Sequence, residues 1–265
     1  MNAPEPLPAR RRFFQFTLRQ LFLLLAVLAL LLGVLTPRLH RVLQKREFQK
    51  AFREARQAEL SLVEAVRNNN ADLARRALEA GANPNVRYGG TGPLLQLAIE
   101  NGSIPMVELL LDYGADVEAD YRLNRAPTAS GPPLYAAICC DQPVEVRLHM
   151  IRLLIQRGAD PRREAGSRSA MDCAVYRSEA GIGDLLRESG APYGPGEMAA
   201  FGRLKELRGV VGEDATVLKK RFRPIWAANP GQEPTLLGIA LERGHRQMAL
   251  FLIDSGAPLD TLEYL

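Results

Sequence analysis

The chain has few aromatic residues. Of its 265 residues only 6% are Phe, Trp or Tyr, with a single Trp, while 47% are hydrophobic. Such a balance can bury a continuous core but lacks the rings that fill a large globular one, so it favours thin, stacked helical layers. Histidine and cysteine are scarcer still, at three of each. His40, His149 and His245 stand far apart and no two have metal-ligand spacing, so neither a metal centre nor a histidine base is expected. Cys139, Cys140 and Cys173 are odd in number and lack a framework spacing, which argues against a disulfide-built domain; small buried thiols are the expectation. Asp172 has no catalytic partner in the pattern, and Gly181-Ile182-Gly183 has no strand before it, so no phosphate-binding loop is expected. These absences predict no catalytic residue, no cofactor, no metal and no small-molecule substrate. The protein is not expected to be an enzyme.

The positive charge is confined to one end. Residues 1–56 carry 11 Lys and Arg against Glu5, Glu47 and Glu54, whereas the remainder carries 23 against 27 acidic residues. A nucleic-acid reader needs its basic face on the folded domain, so nucleic acid is not an expected partner.

Leu21 to Leu35 is 15 residues without a polar side chain. A spanning helix needs about 20 residues, so the expected membrane helix takes in residues 16–36, with Arg19 reaching toward the headgroups. The density of leucine and the lack of a small-x-small site near Leu32 to Thr36 favour an uncleaved anchor over a signal peptide. Residues 1–15 are then a short basic tail and 37–58 a charged helical stalk. Four Lys and Arg precede the apolar run (Arg10, Arg11, Arg12, Arg19) and six follow it closely. The expectation is a single-pass membrane protein with its folded domain in the cytoplasm.

The rest of the chain repeats. Gly-Ala recurs at Gly81, Gly114, Gly158, Gly190 and Gly256, at intervals of 33, 44, 32 and 66 residues. Between the anchors run short amphipathic segments, such as Leu95, Leu97, Ala98 and Ile99, then Met106, Val107, Leu110 and Leu111, at spacings that put them on one helix face. Each helix is too short to stand alone in water and must stack on copies of itself. The Gly supplies the left-handed residue on which a helix ends, and the Ala lets neighbouring units approach.

Carried by Leu95, Leu97, Ala98, Gly102, Val107, Leu110, Leu111, Gly114, Ala115 and Asp116, and again by Thr235, Leu237, Ile239, Ala240, Gly244, His245, Leu252, Ile253, Gly256 and Ala257, the chain resembles the ankyrin-repeat family. The resemblance implies an all-α fold, an ankyrin-repeat solenoid of helix-turn-helix units with β-turn fingers, here following the one N-terminal transmembrane helix. About six units are expected over 59–265. Glu64 suits an N-terminal capping unit, and the third unit carries the 11 extra residues of the 44-residue interval. Gly183 stands where the other units have an apolar residue. The fifth unit diverges most, with an acidic turn near Asp214 in place of Gly-Ala.

Ankyrin stacks bind proteins along finger tips and first-helix edges. The candidate partner-binding residues are Arg87 and Tyr88 in the first finger, Tyr121 and Arg122 in the second, Arg162 and Arg163 in the third and Tyr193 in the fourth, with Trp226 as a gap filler. The expected function is a membrane-anchored, non-catalytic scaffold for protein–protein interaction. The alternative is an exported cell-envelope protein of the same fold that inhibits or protects an enzyme. A repeat scaffold encodes its target in surface residues, so the partner itself is not legible.

Overall fold

The computed structural model describes residues 18–88, 92–120, 131–165, 168–222 and 233–259. Residues 1–55 and 56–265 form two compact units.

The helix α1 (Leu18–Arg67) runs 50 residues and takes in the apolar run, Pro37 and the charged segment. In its first part Phe22, Leu23, Leu25, Val27 and Leu28 are exposed, and Phe48 and Phe52 are exposed among the charges farther on. Among the described residues no helix is long and apolar enough to cross a membrane. The membrane helix expected at 16–36 is thus unsupported by them. Residues 16 and 17, and many apolar side chains between 21 and 39, lie outside the description.

The end of α1 belongs to the repeats. Ala58, Leu62, Ala65 and Val66 are buried in the first core cluster together with Ala74, Ala77 and Leu78 of α2 (Ala71–Glu79), which Asn70 caps through its side chain and the Leu73 N–H. Further antiparallel pairs follow: α3 (Leu94–Glu100) with α4 (Ile104–Asp112), α5 (Pro133–Cys139) with α6 (Val144–Gln156), α7 (Ala170–Tyr176) with α8 (Ala180–Glu188), α9 (Pro195–Ala200) with α10 (Leu204–Glu213), and α11 (Leu236–Glu242) with α12 (Arg246–Asp254). First helices stack on first helices, as α3 on α5 and α5 on α7, and second helices on second helices, as α2 on α4 and α4 on α6. Apolar faces that no seven-to-nine-residue helix could shield by itself are buried this way. The only strands among the described residues are β1 (Arg87–Tyr88) and β2 (Gly92–Pro93), an antiparallel pair at the first finger.

Gly-Ala stops the second helices as its chemistry predicts. At Gly114 the backbone is left-handed, with φ 85°; its N–H donates to the Leu111 carbonyl at 3.0 Å and the Ala115 N–H to the Leu110 carbonyl at 2.9 Å. This 6→1, 5→2 arrangement satisfies carbonyls that would otherwise be left open at a buried helix end. The fifth unit ends differently. Asp214 accepts from the Thr216 N–H and starts a short 3-10 turn at Ala215–Lys219.

The buried core divides. One cluster runs from Ala58 to Ala191, the other from Val175 to Ala257, and Phe201 packs against both. At that junction Gly183 sits in α8, buried beneath the Phe201 ring. Polar contacts bind the two second helices there: Arg187 Nη1 to Glu206 Oε2 at 2.8 Å, and the Arg203–Asp184 ion pair.

Candidate protein-binding surface

Among the described residues each of the first three fingers reaches the next unit. Asn83 caps the Asn85 N–H, so the Asn85 amide is held pointing along the stack. There it donates to the Gly114 carbonyl at 3.1 Å and accepts from the Asp116 N–H at 2.7 Å. The same relation recurs further along. Asp160 accepts from the Arg162 N–H, and Arg162 Nε donates to the Gly190 carbonyl at 2.9 Å.

Glu118 is the knot of this row. It accepts from the Asp160 N–H at 2.7 Å and from Arg163 Nη1 at 2.5 Å, while Arg163 Nη2 reaches Asp120 at 3.0 Å. Arg87 Nη2 donates to the Asp120 carbonyl at 3.3 Å. Of the predicted surface residues, Arg87, Arg162 and Arg163 therefore lie in one row that ties fingers to their neighbours. Their guanidiniums have a structural task beside any recognition. Tyr88 lies in β1, whereas Tyr121, Arg122 and Trp226 are outside the described residues. Tyr193 is half-buried under Arg187, whose guanidinium carbon is 5.1 Å from the ring centre. Burial raises its phenol pKa, and the hydroxyl has no hydrogen-bond partner among the described residues.

A groove crosses the first helices of the third and fourth units. Its volume is about 370 Å³, and Tyr135, Cys139, Arg168, Asp172, Cys173, Tyr176 and Arg177 line it. Tyr176 is exposed at 66% on its rim. Asp172 is not a free acid here. Its carboxylate accepts from the Ser169 N–H at 2.6 Å while Ser169 Oγ accepts from the Asp172 N–H at 3.1 Å, a capping box that starts α7. Burial raises its pKa more than these hydrogen bonds lower it.

The thiol expectation needs correction at the floor of this groove. Cys139 and Cys173 form a disulfide, with Cα atoms 6.6 Å apart and a sequence separation of 34. Cys140 is the free thiol. The odd count hid a usable signal: a separation of one repeat period plus one places both residues on the first helices of consecutive units.

Sequence reasoning also missed Arg147, which is 3% exposed in α6. Its guanidinium donates to the carbonyls of Gln142 at 2.9 Å and Ile138 at 2.8 Å, and pairs in two places with Glu179 of the next unit. An uncompensated cation could not stay there; the bidentate carboxylate and two carbonyls use its donors. Among the described residues no cluster of His, Cys, Asp and Glu forms a metal-holding group.

Comparison with known proteins agrees with this architecture. A family model described as ankyrin repeats, three copies, matches residues 42–121 and 62–165. A similar curated protein is the BRCA1-associated RING domain protein 1 of Caenorhabditis elegans, 36% identical over 75 residues, or 28% of this chain. The aligned part spans 10% of that relative's length. The chain contains ankyrin repeats, and its helical architecture is a repeat solenoid.

Proposed function

We propose, from the ankyrin repeats that this chain contains, that it is a non-catalytic scaffold whose finger row and first-helix edges hold another protein. The observation that carries this is the row itself. Asn85, Glu118, Arg162 and Arg163 align the finger bases through bonds from unit to unit. The side chains beyond them are thereby presented on a preorganised edge, which lowers the ordering cost of binding. Arg87, Tyr88, Tyr121, Arg122, Arg162, Arg163 and Tyr193 are the residues assigned to that surface, and tyrosine and arginine are the types that most often carry interface energy.

The scaffold is tethered to a membrane through residues 16–36. Supporting this is the apolar run, together with the exposure of Phe22 and Leu23 at 64% and 63% in α1. The count of flanking cations favours a cytoplasmic repeat domain. A second reading, an exported cell-envelope protein that inhibits or protects an enzyme, is favoured by one observation, the Cys139–Cys173 bond. Disulfides persist in oxidising compartments and are rare in the cytosol.

Photo-crosslinking residues at Tyr88 and Tyr121 of the full-length chain, in its native cell, test the scaffold reading. One discrete protein captured at both positions is expected, with capture abolished by Arg87→Glu. Folded, membrane-bound protein that captures nothing at either position would sink the finger surface. A C-terminal reporter active only in the cytosol, or only outside it, chooses between the two compartments.

A further inference from the structure

We propose that the Cys139–Cys173 bond is a thiol–disulfide exchange site, at which an anionic thiol entering the groove from solvent opens the covalent link between the third and fourth units. The claim stands apart from partner binding at the fingers and goes beyond it.

Three observations carry it. Both sulfur-bearing residues line a groove of about 370 Å³ together with Arg168, Arg177 and Asp172, so an incoming thiol reaches the bond past two guanidiniums and one carboxylate. Arg168 is exposed and its side chain has no partner among the described residues, while Arg177 is pinned across the bond. Its Nη1 donates to the Cys139 carbonyl at 3.3 Å and its Nε faces Glu179. Finally, the two sulfurs differ in access: Cys173 is 7% exposed, whereas Cys139 is the partly buried one at the end of α5.

The neighbouring thiol does not compete. Burial raises the Cys140 pKa above its ordinary value, although a backbone hydrogen bond near Gln142 and the charges of Arg147 and Arg177 lower it, and its Sγ donates to the Ala137 carbonyl. A protonated thiol is a poor nucleophile, so the attacking thiolate comes from outside.

The exchange balances simply. The thiolate sulfur of the incoming molecule attacks Cys139 Sγ, the sulfur–sulfur bond breaks, and its electron pair leaves on Cys173 as a thiolate at the floor of the groove. A mixed disulfide remains on Cys139. A second thiolate attacks the sulfur of the incoming molecule and frees Cys139 as a thiolate, so the reductant leaves as its own disulfide. Both protein thiolates then take protons from water. The bond ties the last residue of α5 to the middle of α7, and opening it leaves that junction held by packing, by the Arg177–Cys139 carbonyl bond, by the Arg147–Glu179 ion pair and by the Arg162–Gly190 carbonyl bond.

The test uses the full-length chain in mild detergent and two probes. Glutathione carries extra negative charge in its thiolate form, whereas the thiolate form of cysteamine has no net charge. The rate of bond opening and the site of the adduct are read by acid quenching, alkylation and peptide mass spectrometry. Glutathione is expected to open the bond without denaturant and to leave its adduct on Cys139. Replacing both cations (R168Q/R177Q) should slow glutathione about tenfold and cysteamine no more than about twofold, because electrostatic steering acts on charge and not on the thiol itself. The retained cysteamine rate also shows that the variant is folded. Opening at the rate of global unfolding with either thiol, equal slowing of both, or an adduct confined to Cys173 would overturn the proposal.

Discussion

Phe201 occupies the space that a side chain at Gly183 would need. A Cβ at position 183 would lie 2.6 Å from two carbons of that ring, and the same ring touches both core clusters. The residue that breaks the repeat pattern is thus a socket for the next unit. Valine there is expected to destabilise the protein by about 1 to 3 kcal/mol through overpacking, although it is the better helix former. In urea unfolding the Gly183→Val, Phe201→Ala pair should be less destabilised than the sum of the two single variants. Strict additivity would mean that the ring is not seated there.

Arg147 and Glu179 form a buried ion pair between the third and fourth units. Removing Arg147 leaves the Glu179 carboxylate only its contact with Arg177, so Arg147→Met is expected to destabilise toward the lower end of the range of about 3 to 5 kcal/mol for a broken buried pair. Arg147→Met with Glu179→Met removes both charges and should recover most of that loss. A double variant as weak as the single one would show that the carbonyl contacts of Arg147 matter more than the charge pairing.

Opposite pH signatures are expected from two carboxylates. Burial pushes Glu179 upward, but hydrogen bonds and charge from Arg147 and Arg177 outweigh it and hold the carboxyl below its usual range. Its folded-state pKa lies below the unfolded one, so its stabilisation is complete above the ordinary carboxylate range and is lost as pH falls through the depressed value. Asp172 is raised by burial. For it a penalty grows as pH rises from the unfolded-state value to the raised folded one. Stability curves of Glu179→Gln and Asp172→Asn against the natural protein, from mild acid to neutrality, check both signs.

The disulfide closes a loop of 34 residues in sequence. In the chain-entropy view, losing such a bond lowers stability by about 4 kcal/mol. Cys139→Ser with Cys173→Ser, compared with the natural chain in the absence of reductant, measures this in denaturant. An unchanged midpoint would show that the bond does not form in the isolated protein.

Much of the stack was legible because its signals are local. Gly114 followed by Ala115, with apolar residues placed three and four positions before, specifies a helix stop wherever it occurs, and the backbone bonds at that turn involve only the residues in it. Asp214 was readable as an acidic turn for the same reason. The candidate surface was less so. Arg87, Arg162 and Arg163 have the residue types of an interface, yet their carbonyl and carboxylate partners lie 28 to 45 residues away, and residue type does not distinguish a binding side chain from a bracing one. A count of three cysteines likewise said nothing about which two would meet.

By itself, then, the sequence determined the repeated helix-turn-helix unit, its period and the places where helices end, since periodicity and capping act within a few residues. Only the tertiary structure decided the contacts between units. Cys139 meets Cys173, Arg147 meets Glu179, and Phe201 enters the gap at Gly183 because stacking superimposes positions separated by 18 to 34 residues. No local propensity records which side chain of one layer will face which of the next.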